Sequence, residues 1–96
     1  MAIIARHMID GALKQHAAAR KPMQRWLAIA ELATWNDISE ARATFPTADA
    51  IKGTPLTCFN IAGNSYRLIT IVSYQRQEIV IRELLRHAEY TRKYVK

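Results

Sequence analysis

Near its C-terminus the chain gathers side chains suited to work on a phosphate. Arg82, Arg86, His87 and Tyr90 fall within nine residues, and Arg67 interrupts the apolar run that precedes them. A guanidinium offers a planar fork of N–H donors that matches phosphate oxygens and stays charged at any working pH. Imidazole, with an ordinary pKa of about 6.5, exchanges protons near neutrality. A lone histidine is more often a surface or capping residue, and His7 and His16 are read that way. His87 stands apart because Arg82, Arg86 and Tyr90 surround it.

Two strands must carry the arginines. Gly63-Asn64 sits between two runs of β-branched and aromatic residues and reads as a hairpin turn, since Gly and Asn tolerate the positive φ that a tight turn requires. The run from Ser65 to Tyr74 is apolar on both alternations, the pattern of a central strand covered on one face and partly covered on the other, with Arg67 as its exception. A second run, Glu78 to Leu85, returns after Gln75-Arg76-Gln77 and carries Arg82 in the same way. Their register decides whether the two arginines share a face, because a slip of one residue moves every side chain to the opposite side. The turn at Gln75 to Gln77 holds neither Gly nor Asn and leaves that register open. After the second run, His87 to Tyr94 reads as a helical turn with His87, Tyr90 and Tyr94 on one side.

Upstream the pattern is helical. Ala2 to Ala5 reads as a short edge strand, and Arg6 to Ala17 as a first helix with Met8, Ile9, Ala12 and Leu13 facing the core. Met23, Trp26, Leu27, Ala30 and Ala33 follow the spacing of a buried stripe, so Arg20 to Thr34 is predicted as a second helix with Trp26 packed on the sheet. Asn36-Asp37 and Glu40 form a capping signal for a short helix reaching about Thr44, where Pro46 stops it and Phe45 plugs the space beneath the helix pair. Ile51 to Pro55 reads as a loop leading into a strand over Leu56 to Ile61. These elements predict one α+β domain over residues 1–96: an N-terminal helical pair on a mainly antiparallel sheet of three to four strands.

The formal charge is +6, and it is unevenly spread. Residues 59–96 hold seven basic against three acidic residues, whereas residues 31–50 hold four acidic and one basic. The basic third coincides with the phosphate-directed groups, which points to a polyanion partner, most simply nucleic acid. Half of the residues are hydrophobic, as in a folded globular chain, yet no run approaches the roughly 20 apolar residues of a membrane span. The N-terminal apolar run is too short for a secretory signal. Cys58, the single cysteine, is read as a small buried strand residue in a reducing compartment, without companions for a metal cluster.

Several blocks of the sequence resemble the HigB-type toxins of bacterial type II toxin-antitoxin systems. They are Asn60-Ile61-Ala62-Gly63-Asn64-Ser65-Tyr66-Arg67-Leu68-Ile69, Gln77-Glu78-Ile79-Val80-Ile81-Arg82, and His87-Ala88-Glu89-Tyr90. Trp35 and the run from Ala41 to Asp49, with Phe45-Pro46 inside it, are similar to a further block of that family. The likeness covers roughly residues 23 to 92. Ala62 stands where the family commonly has Gly, Ser65 where it often has Lys, Arg86 where it has Thr, and Thr91 where it has Asp.

The resemblance implies the RelE-like microbial ribonuclease fold and an endoribonuclease that cuts mRNA, commonly on the translating ribosome. It implies a cognate HigA-type antitoxin, usually with a helix-turn-helix through which the pair binds operator DNA, and a cytoplasmic site of action. RNA supplies its own nucleophile, the 2′-hydroxyl, so the chemistry asks for proton transfer and neutralised phosphate charge and needs no metal or other cofactor. His87 is assigned as general base or acid, Arg67 and Arg82 as phosphate ligands, and Tyr90 as a stacking or proton-assisting group. Lys52, Arg76, Arg86, Arg92 and Lys93 are assigned to holding RNA by charge. The alternative is a small basic module that binds RNA or protein without catalysis.

Overall fold

The computed structural model describes residues 1–95. It is an α+β domain in which helices pack on a five-stranded mixed sheet of order β1-β5-β4-β3-β2. The strands are β1 (Ala2–Ile4), β2 (Asp49–Ala50), β3 (Thr57–Ile61), β4 (Tyr66–Ser73) and β5 (Glu78–Arg86). The helices are α1 (Asp10–Gln15), α2 (Arg20–Leu32), α3 (Ile38–Thr44) and α4 (His87–Tyr94). None is long and apolar enough to cross a membrane. The sheet has five strands rather than three to four because β2, at two residues, is too short to show an alternation. The β1 edge pairs parallel with β5 through Ala2↔Glu78 to Ile4↔Val80, a partnership between the two ends of the chain; every other pairing is antiparallel.

The sheet carries a large core on one face and a smaller hydrophobic cluster on the other, in keeping with the pattern of β4. One face meets the N-terminal helices in a core built on Ile9, Met23, Trp26, Ala30, Phe59, Leu68, Ile79, Ile81 and Leu84. Phe59, fully buried, has its ring 5.0 Å from Trp26, 5.7 Å from Phe45 and 6.0 Å from Trp35. Such aromatic pairs add about 0.5–1.5 kcal/mol each beyond the area they bury. The Trp26 indole N–H is buried without a partner, so this residue contributes through buried area and its aromatic contacts rather than through a hydrogen bond. The other face carries Cys58 and Ile69, which pack with Ile51, Leu56, Leu85 and two tyrosines of α4.

Arg6 to Ala17 is not one helix. Ala5 at φ 63° enters a 3-10 turn over Arg6–Ile9, α1 follows, and His16 at φ −123°, ψ 75° ends it. A 3-10 turn has three residues per turn, so the apolar stripe rotates. Ile9 is buried and Ala12 and Leu13 pack on the core as expected, but Met8 is turned outward, 50 % exposed. In α2 the stripe is as expected: Met23, Trp26 and Ala30 are buried, with Leu27 and Ala33 partly so. The Met1 ammonium donates to the carbonyls of Ala30, Glu31 and Ala33 at the negative end of α2. The cap of α3 is reciprocal. Asp37 Oδ1 accepts from the Glu40 N–H at 2.9 Å, and Glu40 Oε1 accepts from the Asn36 N–H at 2.6 Å.

The β3–β4 turn forms at the expected place, with its left-handed pair one residue earlier, at Ala62 (φ 56°) and Gly63 (φ 66°). Asn64 is instead committed to binding Arg67 through its backbone and side-chain oxygens. A left-handed alanine costs about 1–2 kcal/mol through its Cβ. Ala62→Gly is therefore expected to stabilise the fold by about 1 kcal/mol, raising the melting temperature by about 4–8 °C for a domain of this size. A thermal melt that moves down instead would show that the half-buried Ala62 methyl outweighs the backbone strain.

Candidate active site

The register left open by the sequence is settled by an irregularity in β5. Arg67 lies opposite Leu85 and Ile69 opposite Glu83, but Thr70 lies opposite Ile81, so Arg82 is an extra residue with no counterpart on β4. Ile81 and Leu84 both point into the first core although strict alternation would separate them. Arg82 and Glu83 consequently both fall outside that core. Arg67 and Ile69 alternate with core-facing Leu68, so the two arginines lie on the same side of the sheet, the side that α4 covers. Arg82 is exposed and has no ion pair among the described residues.

Arg67 is differently situated, only 9 % exposed. One terminal nitrogen donates to the Asn64 and Tyr66 carbonyls at 3.0 and 3.3 Å, and the other to Asn64 Oδ1 at 2.6 Å. Its guanidinium carbon sits 5.6 Å from the centre of the Tyr90 ring, a cation–π distance. Three of its five N–H groups are therefore spent on the hairpin turn. Burial pushes the Tyr90 phenol above its usual range, and it holds the neighbouring Cys58 thiol up at about 11, so both stay protonated at neutral pH. Cys58 is the buried strand residue expected of it.

His87 opens α4 and is exposed. Its backbone N–H donates to Ser65 O at 3.1 Å, and its carbonyl accepts from the Thr91 hydroxyl at 3.0 Å. His87 and Arg67 are thus fastened to adjacent residues of one turn, Ser65 and Asn64. Arg86 precedes the helix, and its N–H and guanidinium both donate to Glu89 Oε1, at 3.0 and 3.1 Å. These two bonds hold the Glu89 carboxyl below the usual carboxylate range. Tyr90 and Tyr94 turn toward the sheet with ring centres 5.6 Å apart, while His87 faces solvent.

Glu83, a residue that sequence reasoning passed over, ties the far end of α4 to β5. It accepts from Lys93 Nζ at 2.8 Å and from the Tyr94 hydroxyl at 2.7 Å. Its charge raises the Lys93 ammonium, and together with burial it raises the Tyr94 phenol. An acid in an apolar strand, one position after an arginine, was the available signal. Asn64 was likewise read only as a turn residue. The His16 ring lies tilted against Tyr66, centre to centre 5.4 Å, and Tyr66 is paired with Arg86, so a second imidazole lies at the same end of the sheet as His87.

The outlying cations divide. Lys52 is exposed beside Ile51, which packs in the cluster under Tyr90 and Tyr94, and exposed Arg92 lies on α4 itself. Arg86 and Lys93 are engaged by Glu89 and Glu83. Arg76 lies in the β4–β5 turn, at the opposite end of the nine-residue β5 from His87, about 30 Å away at about 3.3 Å per residue. One scissile phosphate cannot touch both. Among the described residues no cluster of three or more His, Cys, Asp and Glu side chains is placed to hold a metal ion.

A search of curated proteins finds no match to this chain. A family model, described as the RelE-like toxic component of a toxin-antitoxin system, matches residues 19–93. That span takes in α2, α3, all but the last residue of α4 and four of the five strands, and with them Arg67, Arg82, His87 and Tyr90. The chain belongs to the HigB toxin family.

Proposed function

We propose that this chain is a metal-independent endoribonuclease that cleaves mRNA on the translating ribosome in the cytoplasm and is neutralised by a cognate HigA-type antitoxin. The observation that carries the reading is the common mounting of its reactive groups. His87 and Arg67 hang from one turn, and Arg82 stands exposed on the same side of the sheet.

In the reaction the RNA 2′-hydroxyl gives up its proton and attacks the adjacent phosphorus. The 5′-oxygen leaves and takes a proton, giving a 2′,3′-cyclic phosphate and a 5′-hydroxyl. His87, open to solvent, handles a proton in this exchange. Arg82 brings a free fork to the phosphate, whose charge it offsets as the transition state forms. Arg67 has two N–H groups beyond its bonds to the turn, and it holds Tyr90 in place. The neutral phenol of Tyr90 presents a ring face for a base and an O–H for donation. Lys52 and Arg92 hold flanking phosphates, and Arg76, Arg86 and Lys93 extend the positive field. Operator DNA is reached only through the helix-turn-helix of the antitoxin.

The test is to induce the chain alone in cells and map RNA ends. New 5′-hydroxyl ends within translated mRNA are expected, with growth arrest relieved by the antitoxin. RNA retention that weakens steeply with salt, without new ends, would instead identify a binding module that does not cut.

A further inference from the structure

The reaction moves two protons, and His87 handles one of them. In-line attack sets the 2′-oxygen and the 5′-oxygen at opposite apices about phosphorus, so the group that takes the first proton and the group that gives the second must approach from opposite sides. Around His87 most groups are unsuited to the second task. Glu89 is held ionised by two bonds from Arg86 and has no proton to give near neutrality. Burial makes the Tyr90 phenol a more reluctant acid than usual, and the arginines keep their protons throughout.

His16 answers the description. A break in the local pattern puts it there: the alanines at 17 to 19 would extend α1 on propensity alone, yet α1 stops at Gln15, His16 takes φ −123°, ψ 75°, and the alanines form a 3-10 turn. Both backbone groups of His16 are engaged, its N–H donating to Ala12 O at 2.8 Å and its carbonyl accepting from the Ala19 N–H at 3.0 Å. Its half-buried ring lies against Tyr66, which packs on the first core, so His16 stands on that side of the sheet. His87 opens the helix that covers the other side and is bonded to Ser65 O. The two imidazoles are thus carried by consecutive residues, Ser65 and Tyr66, one from each side of the sheet's end, with Arg67 next in line. Glu89 lies close enough to His16 to feel its charge in addition to that of Arg86. A carboxylate there offsets the charge of an imidazole loaded with a proton.

We propose that His16 is a second catalytic residue, the general acid that protonates the leaving 5′-oxygen while His87 takes the proton of the 2′-hydroxyl. The proposal rests on the nuclease reading above and completes its proton balance. The O–H bond of the 2′-hydroxyl breaks and its proton passes to His87, the 2′-oxygen bonds to phosphorus, the bond from phosphorus to the 5′-oxygen breaks, and the proton of His16 goes to that oxygen. The imidazoles end with their protonation states exchanged, and solvent water resets them.

The experiment uses the full chain on ribosomes programmed with two synthetic mRNAs, identical except that one carries a single 5′-bridging sulfur at the cleaved linkage. A thiolate leaves without being protonated, so loss of the acid matters little there. His16→Gln and His16→Phe, the second of which keeps a ring against Tyr66, are expected to fold by circular dichroism, to cut the oxygen mRNA about 10²-fold or more slowly, and to cut the sulfur mRNA within tenfold of wild type. Should one of the two misfold, the other carries the same expectation. His87→Gln is expected to be slow on both mRNAs. His7→Gln, which alters an exposed imidazole in the 3-10 turn before α1, is expected to match wild type within threefold on both. Folded His16 variants that cut the oxygen mRNA within tenfold of wild type would overturn the proposal. Equal slowing on both mRNAs would overturn it too, by reducing His16 to a packing partner of Tyr66. A wild-type chain that cuts neither mRNA would sink the nuclease reading itself, a different failure.

Discussion

Purified His87→Gln is expected to keep its fold and lose about 10² to 10⁴ in cleavage rate. The structure makes this substitution unusually clean. His87 contributes to the fold through its backbone, donating to Ser65 O and accepting from the Thr91 hydroxyl, and glutamine preserves both bonds. The imidazole is exposed and packs in neither core. Glutamine keeps polarity and hydrogen bonding but has no proton to exchange near neutrality. If the variant, unchanged by circular dichroism, still cuts mRNA in a translating extract within tenfold of wild type, proton transfer belongs to another group, and His16 becomes the first to examine.

Replacing the two strand arginines by lysine is expected to give two different outcomes. Lysine retains the charge and loses the fork. At Arg82, exposed and outside the regular β4–β5 register, the melting temperature should hold while cleavage falls about 10²-fold, the order seen when one transition-state donor is removed. At Arg67 both should fall. Lysine there cannot reproduce three bonds to Asn64 and Tyr66, and its ammonium would be left in a buried position beside Tyr90. Melting curves and cleavage rates measured together check this. Equal losses of stability and activity at Arg82 would place it among the structural residues instead.

Those two arginines also show what the linear pattern conveyed. Both were visible as charged interruptions in apolar strands, which is a period-two signal and local. Their difference was not visible, because it depends on pairing. Arg67 falls next to Asn64 across a turn whose left-handed residues are Ala62 and Gly63, and Arg82 falls in a register irregularity that only the core positions of Ile81 and Leu84 require. The β4–β5 turn is similar. Gln77 adopts φ 55° without being Gly or Asn, because its side-chain amide donates to Trp35 O at 2.7 Å and Tyr74 O at 2.8 Å, and Trp35 lies 42 residues away. No local rule supplies that partner.

The sequence by itself determined the α+β class, the α2 stripe, the cap and end of α3, the hairpin before β4 and the family. The stripe, the cap and the hairpin are each written in a span of ten or so residues, where periodicity, capping and turn chemistry act between near neighbours, and the class and the family follow from the order of such stretches along the chain. Only the tertiary structure decided that β1 joins β5, that α4 is tied down by Glu83 and Arg67, and that Arg76 stands far from His87 while His16 stands near its end of the sheet. These outcomes join residues distant along the chain. They follow from burying both faces of one sheet at once, a condition on the whole chain that no short stretch can express.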